Sequence, residues 1–368
     1  VAETNESEGA RAASSTRVSL CATIFNEADS VAAWLDSILA QTRPPEEIVL
    51  CDAGSTDGTI EQIERRAERD PRIRLIVEPG ANVPEGRNTA IEAASGPAIA
   101  VTDAGTILDP EWLERLIAPL EADPTLAVSA GFYRPAGRNA FERILATVIT
   151  PRRRDLPADG FPPSSRSVGF RKSWWEKAGG YPAWLRAGED LVFDFRLREM
   201  GARFSFAPDA IVAWYPRPDL REFFAQYRHY ARGDGHGHLF TGRHAIRYAA
   251  YASGLALAVR SRRSRLARAL LLLGAGAHMR KFFARVHEER PLPGTAGAAR
   301  AYALVPAIVV VGDVAKMIGY PQGLWERRRA GGPEGLRAAR IESHRSAASR
   351  PGDAAEIGTS RTAGAGSR

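Results

Sequence analysis

The residues able to do chemistry sit where apolar runs stop. Ile99-Ala-Val-Thr102 ends in Asp103, Glu47-Ile-Val-Leu-Cys51 ends in Asp52, and Val18 to Phe25 ends in Asn26-Glu27. A further acid pair, Glu189-Asp190, follows Gly188 and opens an amphipathic run through Leu197. Acids and small polar groups at strand ends suit a ligand with hydroxyls and ring N–H groups, together with a cation, better than they suit bare phosphate. A carboxylate at a helix start lies near free backbone N–H groups, which keep it ionised and available as a general base. No Gly-x-Gly-x-x-Gly follows the first apolar run, and no Gly-x-x-x-x-Gly-Lys-Ser/Thr occurs anywhere. A dehydrogenase-type dinucleotide fold and a P-loop NTPase therefore lose their main support.

The elements that must position these groups follow from periodicity. Val18–Phe25, Glu47–Asp52, Ile73–Val77 and Ala98–Asp103 are short apolar or β-branched runs, the pattern of buried strands. Between them, Ser30–Gln41 carries apolar residues at 31, 34, 35, 38 and 39, and Thr59–Arg69 and Glu85–Ala94 also predict helices. This alternation implies an α/β fold, an open and mostly parallel sheet flanked by helices. Asp109-Pro110 predicts an N-cap with proline at the first position of a helix over Glu111–Leu120. A strand over Ala127–Phe132 and a helix over Ala140–Ile149 follow. Next comes a basic, proline-rich loop from Pro151 to Pro163, whose Arg152 to Arg154 could clamp a diphosphate or an acidic acceptor. A strand over Ser167–Phe170, a helix over Trp174–Ala178 capped by Ser173, the helix after Gly188 and two closing strands, Arg203–Phe206 and Ala210–Trp214, complete the region.

Taken in order, Thr23-Ile-Phe-Asn26-Glu27, Asp52-Ala-Gly-Ser-Thr-Asp57-Gly58, Gly86-Arg87-Asn88, the Asp103 strand end, Gly179-Gly180-Tyr181 and Gly188-Glu189-Asp190 resemble the inverting family 2 glycosyltransferases of GT-A fold. The resemblance spans about Val18 to Trp214. It implies a catalytic domain over 18–215, with a donor half at 18–110 and an acceptor half at 111–215. Thr23 and Asp52 match residues that hold the base of a nucleotide-sugar donor, typically uracil, and Arg87 matches a basic residue near base or phosphate. Asp103 matches the first Asp of the DxD element, which contacts ribose or metal; Asn26, Glu27 and Gly105 complete the implied donor-binding set. Asp190 matches the general base, with Glu189 as a supporting acid. The implied cofactor is a divalent cation, Mn2+ or Mg2+, although Gly105 stands where the second DxD acid belongs. Either metal affinity is then weak or ligands come from elsewhere, with Asp109, His229, His236 and His238 as the candidates, since manganese tolerates imidazole. The last three lie in a run from Gln226 to His238 that is read as loop around His236 and His238. Gln226 to Tyr230 is similar to the Gln-x-x-Arg-Trp element of processive members, but His229 and Tyr230 replace Arg and Trp, which argues against processive polymerisation.

Composition agrees with a globular enzyme carrying a basic appendage. Hydrophobic residues make up 44% and charged residues 25% of 368, values that support a sizeable core. The net charge is +7, yet residues 241–300 alone hold 12 Arg or Lys against 2 Glu. Within 216–329, Tyr248–Val259, Ala269–Met279 and Ala301–Gly312 are apolar stretches of 11 or 12 residues, each short of the roughly 18–20 needed to cross hydrocarbon. Apolar faces flanked by Arg fit helices lying on an anionic membrane surface; a helical appendage packed on the catalytic domain or a second subunit is the alternative. No nucleic-acid-binding motif is present. Residues 1–17, without an apolar leader, and 330–368 read as disordered tails. Cys21 and Cys51 fall inside strand-like runs, which suits a reducing compartment. The expected protein is a transferase at the cytoplasmic face of the cell membrane, moving sugar with inversion to a lipid-linked or envelope-glycan acceptor. A nucleotide-sugar-binding or assembly protein with weak turnover, lacking the second DxD acid, and a retaining transferase on the same fold are the alternatives.

Overall fold

The computed structural model describes residues 16–156 and 162–348. The expected tails before residue 16 and after residue 348, and the centre of the proline-rich loop, lie outside these residues. The donor half alternates β1 (Val18–Ile24), α1 (Val31–Leu39), β2 (Glu47–Asp52), α2 (Thr59–Ala67), β3 (Ile73–Val77), α3 (Val83–Ala93) and β4 (Ala98–Val101). The acceptor half follows with β5 (Ile107–Leu108), α4 (Trp112–Ala122), β6 (Leu126–Pro135), α5 (Ala140–Ile149), β7 (Val168–Arg171), α6 (Lys172–Ala178), α7 (Glu189–Glu199) and β8 (Arg203–Trp214). Among the described residues eight strands form one sheet, ordered β3-β2-β1-β4-β7-β6-β8-β5. The first four are parallel, β7 runs antiparallel to both β4 and β6, and β6 is parallel to β8.

Both faces of the donor half are covered, which is why its strands read as continuous apolar runs. On β1, Leu20, Ala22 and Ile24 pack with Trp34, Leu35 and Ile38 of α1, while the intervening Cys21 packs with Ala90 and Ile91 of α3. That is the two-residue period of a strand buried between two helix layers. Cys21 and Cys51 are free thiols. Burial pushes both above the usual thiol range, Cys51 to about 12, so they act as small hydrophobes.

Three local expectations change. Asp109 does not cap the following helix: α4 starts at Trp112, and the Asp109 carboxylate pairs with Arg134 at 3.2 Å. Ser173 does not cap either, because α6 begins one residue earlier, at Lys172, with Arg171 at its cap. The two closing strands are one, β8; its pairing with β6 shifts register between Ala130↔Phe206 and Phe132↔Ile211, and the residues looped out there, 207–210, interrupt the alternation that a sequence reader relies on.

The C-terminal region is helical throughout: α8 (Leu220–Gly237), α9 (Thr241–Arg260), α10 (Arg265–Glu289), α11 (Gly294–Arg329) and α12 (Pro333–Ala348). Its apolar stretches sit within helices longer than the stretches themselves, and α11 is long and apolar enough, by length and composition, to cross a membrane. In this structure one face of α11 packs on α8. A Cβ at Gly319 or Gly323 would lie 2.2 or 2.0 Å from the carbonyl oxygens of Arg228 and Arg232, and one at Gly235 2.4 Å from that of Tyr320. Only glycine lets the two backbones touch this way. The expected tail after 330 also turns out helical to Ala348. Arg340 of α12 reaches the donor half, donating to Glu85 Oε1 at 2.9 Å and to the Gly80 carbonyl at 2.8 Å.

Candidate active site

Glycine geometry builds the two turns that carry the acids. Gly188, at φ +79°, is the left-handed cap from which α7 starts, so Glu189 and Asp190 occupy its first turn. Gly105 has the same φ of +79° in the turn after β4, closed where the Thr106 hydroxyl donates to the Asp103 carbonyl at 2.8 Å. An aspartate at 105 would be strained at that φ, and its Cβ would stand 3.2 Å from Glu27 Oε2. The glycine is thus fitted to a place where the Glu27 carboxylate already lies.

Arg87 joins the two turns. It projects from α3, is only 3% exposed, and donates through Nη1 to Glu189 Oε1 at 3.1 Å and through Nη2 to Asp103 Oδ1 at 3.2 Å. Its guanidinium also stands 4.9 Å from the centre of the Tyr181 ring. Burial opposes its charge, but Glu189, Tyr181, Asp103 and Asp190 outweigh burial and hold it above the usual arginine range. A planar fork that meets two carboxylates at once is what lysine could not provide.

Asp190 has the opposite balance. Burial is the main cause, and Glu189 the next, that push its carboxyl up to about 6, against the pull of Arg87, the Leu191 N–H and Arg166. Its Oδ1 accepts from the Leu191 N–H at 2.9 Å. One turn on, Asp194 is buried with Oδ2 lacking a hydrogen-bond partner; burial and then Asp190 push its carboxyl well above its ordinary value.

The remaining site residues of the donor half form the wall beside this centre. Asp52 is fully buried at the end of β2, and its carboxylate accepts from Gly54 N at 2.8 Å, Ser55 N at 2.6 Å and Ser55 Oγ at 2.7 Å. Asn26, at φ +52°, accepts from Thr56 N at 3.0 Å, and the Glu27 N–H donates to Thr59 Oγ1 at 2.8 Å. Asn26 and Glu27 thereby clasp the loop after β1 to the turn after β2. Glu27 Oε2 also accepts from Ser30 Oγ. Thr23 donates to the Val83 carbonyl at 3.1 Å, and α3 approaches it so closely that a Cβ on Gly86 would stand 2.7 Å from Thr23 Cγ2.

Several expected participants have partners of their own. His236 belongs to the last turn of α8, not to a loop, and its ring pairs with Glu326 at 2.7 Å; His238 is the left-handed cap after it. His229 bonds the Arg186 carbonyl at 3.1 Å. Asp109 is held by Arg134, and among the described residues no three His, Cys, Asp or Glu side chains form a metal-holding group. Arg152 to Arg154 pair with Asp155, Glu288 and Asp209. In the other direction, the structure brings in Arg166, which no spacing or motif marked: burial opposes its charge, but Tyr230, Asp103, Tyr133 and Asp190 favour it and hold the guanidinium above the usual range.

Comparison with known proteins fits this geometry. The glycosyl transferase family 2 profile matches residues 19–173, and that of glycosyl transferase family group 2 matches 98–311. The succinoglycan biosynthesis protein ExoA of Rhizobium meliloti is 27% identical over 223 residues, covering 57% of this chain and 66% of ExoA. Glycosyltransferase AglE of Haloferax volcanii is 26% identical over 212 residues, 55% of this chain and 67% of AglE. Chondroitin synthase of Pasteurella multocida is 32% identical over 110 residues, 30% of this chain but 11% of that much longer protein. In fold, the chain is similar to the mannosyltransferase PcManGT of Pyrobaculum calidifontis, solved with GDP-Man and Mn2+, with a TM-score of 0.59 at 23% identity, covering 82% of this chain and 87% of that one. The profile matches, the mixed sheet of GT-A type and the ordered acids at strand and helix ends lead to one assignment: the chain belongs to the family 2 glycosyltransferases.

Proposed function

We propose that the protein transfers a sugar, with inversion, from a nucleotide-sugar donor to the hydroxyl of a glycan or lipid-linked acceptor. The observation that supports this reading is the Arg87 bridge, which ties Asp103 to Glu189, the neighbour of the residue we take as base, Asp190. Asp190 takes the proton of the acceptor hydroxyl as its oxygen bonds to the sugar's anomeric carbon, and the nucleoside diphosphate leaves with the electron pair of the broken C–O bond. Thr23 and Asp52, with the Asn26-Glu27 loop, line the base end of the donor. Asp103 faces its ribose and phosphates, 39% exposed on its side chain. Holding both substrates in line supplies much of the remaining acceleration.

The residues present fit a divalent cation that shares its ligands with the donor. Asp103 offers a partly exposed carboxylate, and Glu27 places a second one beside Gly105, a set of one or two protein ligands that phosphate oxygens complete. When bound, such an ion neutralises charge developing on the departing diphosphate. Thermal stabilisation across a panel of nucleotide sugars, each with and without Mn2+, tests the reading. A UDP-sugar is expected to raise Tm, more so with Mn2+, and turnover with an added acceptor should follow; GDP-mannose is the second donor to try, since PcManGT holds it. Donor binding without turnover under any acceptor would favour an assembly role, and retention at the anomeric centre would overturn inversion.

We further place the protein on the cytoplasmic face of a membrane, through the hairpin of α9 and α10. Leu255, Val259, Leu266, Leu272 and Leu273 are each more than 60% exposed there, around a turn flanked by Arg260, Arg262, Arg263 and Arg265. Apolar side chains rimmed by arginine complement an anionic lipid surface. Co-sedimentation with vesicles containing phosphatidylglycerol should exceed that with phosphatidylcholine alone and fall with salt. Replacing Leu266, Leu272 and Leu273 by Ser should weaken it at least tenfold; equal binding by this variant would rule the hairpin out.

A further inference from the structure

Arg166 precedes β7 and carries a charge that no ion pair matches among the described residues. Its guanidinium carbon stands 5.2 Å from the centre of the Tyr133 ring and 4.8 Å from that of Trp214, two rings that meet edge to face at 6.1 Å. Nη1 donates to Ser164 Oγ at 3.0 Å, while the buried Nε has no hydrogen-bond partner. Among the described residues no carboxylate forms an ion pair with it, in contrast to Arg87, which is matched by two. Asp103 and Asp190 are nonetheless close enough to favour its charge, and the two rings that hold it belong to β6 and β8 of the acceptor half.

Aromatic faces hold a guanidinium in place without neutralising it. A half-buried cation is normally paired with an anion, and the planar guanidinium, with Nη1 on Ser164 and Nε enclosed, keeps Nη2 for a phosphate oxygen. We propose that Arg166 is a substrate-binding residue that receives a phosphate group at the transfer point, either the donor's diphosphate or the phosphate of a lipid-linked acceptor. The inference rests on the transferase reading above and adds to it a cation that is independent of the metal. For a donor, the group that Arg166 meets is the one that gains negative charge as the C–O bond to the sugar breaks, so its N–H groups stabilise the transition state more than the ground state.

The test is calorimetric titration of wild type, Arg166→Gln and Arg166→Lys with UDP, GDP, uridine, guanosine, dodecyl phosphate and dodecanol, with melting curves to verify folding. If the donor supplies the phosphate, Arg166→Gln should bind the diphosphate that wild type prefers about ten- to a hundredfold more weakly, with nucleoside affinity unchanged. If the acceptor supplies it, the loss falls on dodecyl phosphate and spares both the nucleotides and dodecanol. Arg166→Lys, which keeps the charge but not the fork, should fall between, and it is the variant to read if Arg166→Gln does not fold. Wild-type affinity of a folded variant for both kinds of phosphate overturns the assignment of Arg166 while leaving the transferase reading intact. A wild-type protein that binds no nucleotide but loses dodecyl phosphate on substitution removes the donor reading and keeps Arg166; one that binds neither removes both.

Discussion

Asp190→Asn is expected to lower kcat by about 10²–10⁴-fold, the range that a positioned general base contributes, while donor binding stays close to wild type. Asparagine keeps the size of the side chain and can still bond the Leu191 N–H region through its amide oxygen, but it cannot take a proton. The pH dependence gives an independent check. With the carboxyl held up to about 6 by burial and Glu189, the wild-type kcat/KM should climb as pH rises through about 6, because the working form is the ionised one. Stability should move the other way. A carboxyl whose folded value lies above its unfolded value, 3.8, costs nothing below about pH 3, where both states are protonated, and destabilises the fold progressively as pH rises toward 6. Asp190→Asn should therefore melt above wild type at pH 7 to 8 and come level with it at about pH 3. Wild-type turnover in the variant, or a flat pH–rate profile from 5 to 8, would remove Asp190 from the chemistry. Glu189→Gln should lose less activity than Asp190→Asn, since its carboxylate faces Arg87.

How much of this was legible in the sequence depends on whether the signal was local. The donor half was, because each strand of the βαβ rhythm is short, apolar and ended by a polar turn, and the turns carry the acids. The open sheet and the places of Asp52, Asp103 and Glu189-Asp190 at strand and helix ends follow from that. Contacts between distant residues were not legible. Arg87 lies 102 positions from Glu189 and 16 from Asp103, and nothing in Gly86-Arg87-Asn88 shows that its side chain turns inward to both. Arg166 was hidden for the same reason, since its neighbours Tyr133 and Trp214 come from strands on either side of it in sequence. In the C-terminal region the counting of uncharged residues misled, because isolated arginines and glycines break an apolar run on paper without breaking the helix. Gly319 and Gly323, residue types that weaken an isolated helix, let α11 lie against α8. His236 was misplaced by Gly235 and Gly237, which look like loop punctuation but sit in the final turn of α8.

Arg87→Met should be the most destabilising of the site substitutions, by about 3–5 kcal/mol, the usual result of removing one partner from a buried ion pair. Methionine fills much of the same volume and keeps contact with Tyr181, so the loss is not a cavity effect. It arises because the Glu189 carboxylate, 11% exposed on its side chain, is left in the interior without its counter-charge and next to Asp190. If that is the cause, Arg87→Met combined with Glu189→Gln should recover most of the stability, a coupling that additive effects cannot produce. Activity separates the two roles of the bridge. Arg87 pulls the Asp190 carboxyl down against burial and Glu189, so in Arg87→Met the rising limb of the pH–rate profile should move to higher pH. The added Glu189→Gln change should bring it part of the way back, since it removes the charge that pushes Asp190 up. Asp103, released from Arg87, should bind donor more weakly in both variants. Arg87→Lys restores one charge but reaches only one carboxylate well, and should regain stability without regaining donor affinity. Denaturant midpoints, with pH–rate profiles on the folded variants, measure each step. An unchanged midpoint in Arg87→Met, or a double variant no more stable than the single one, would show that the bridge is not what holds the two halves of the site together.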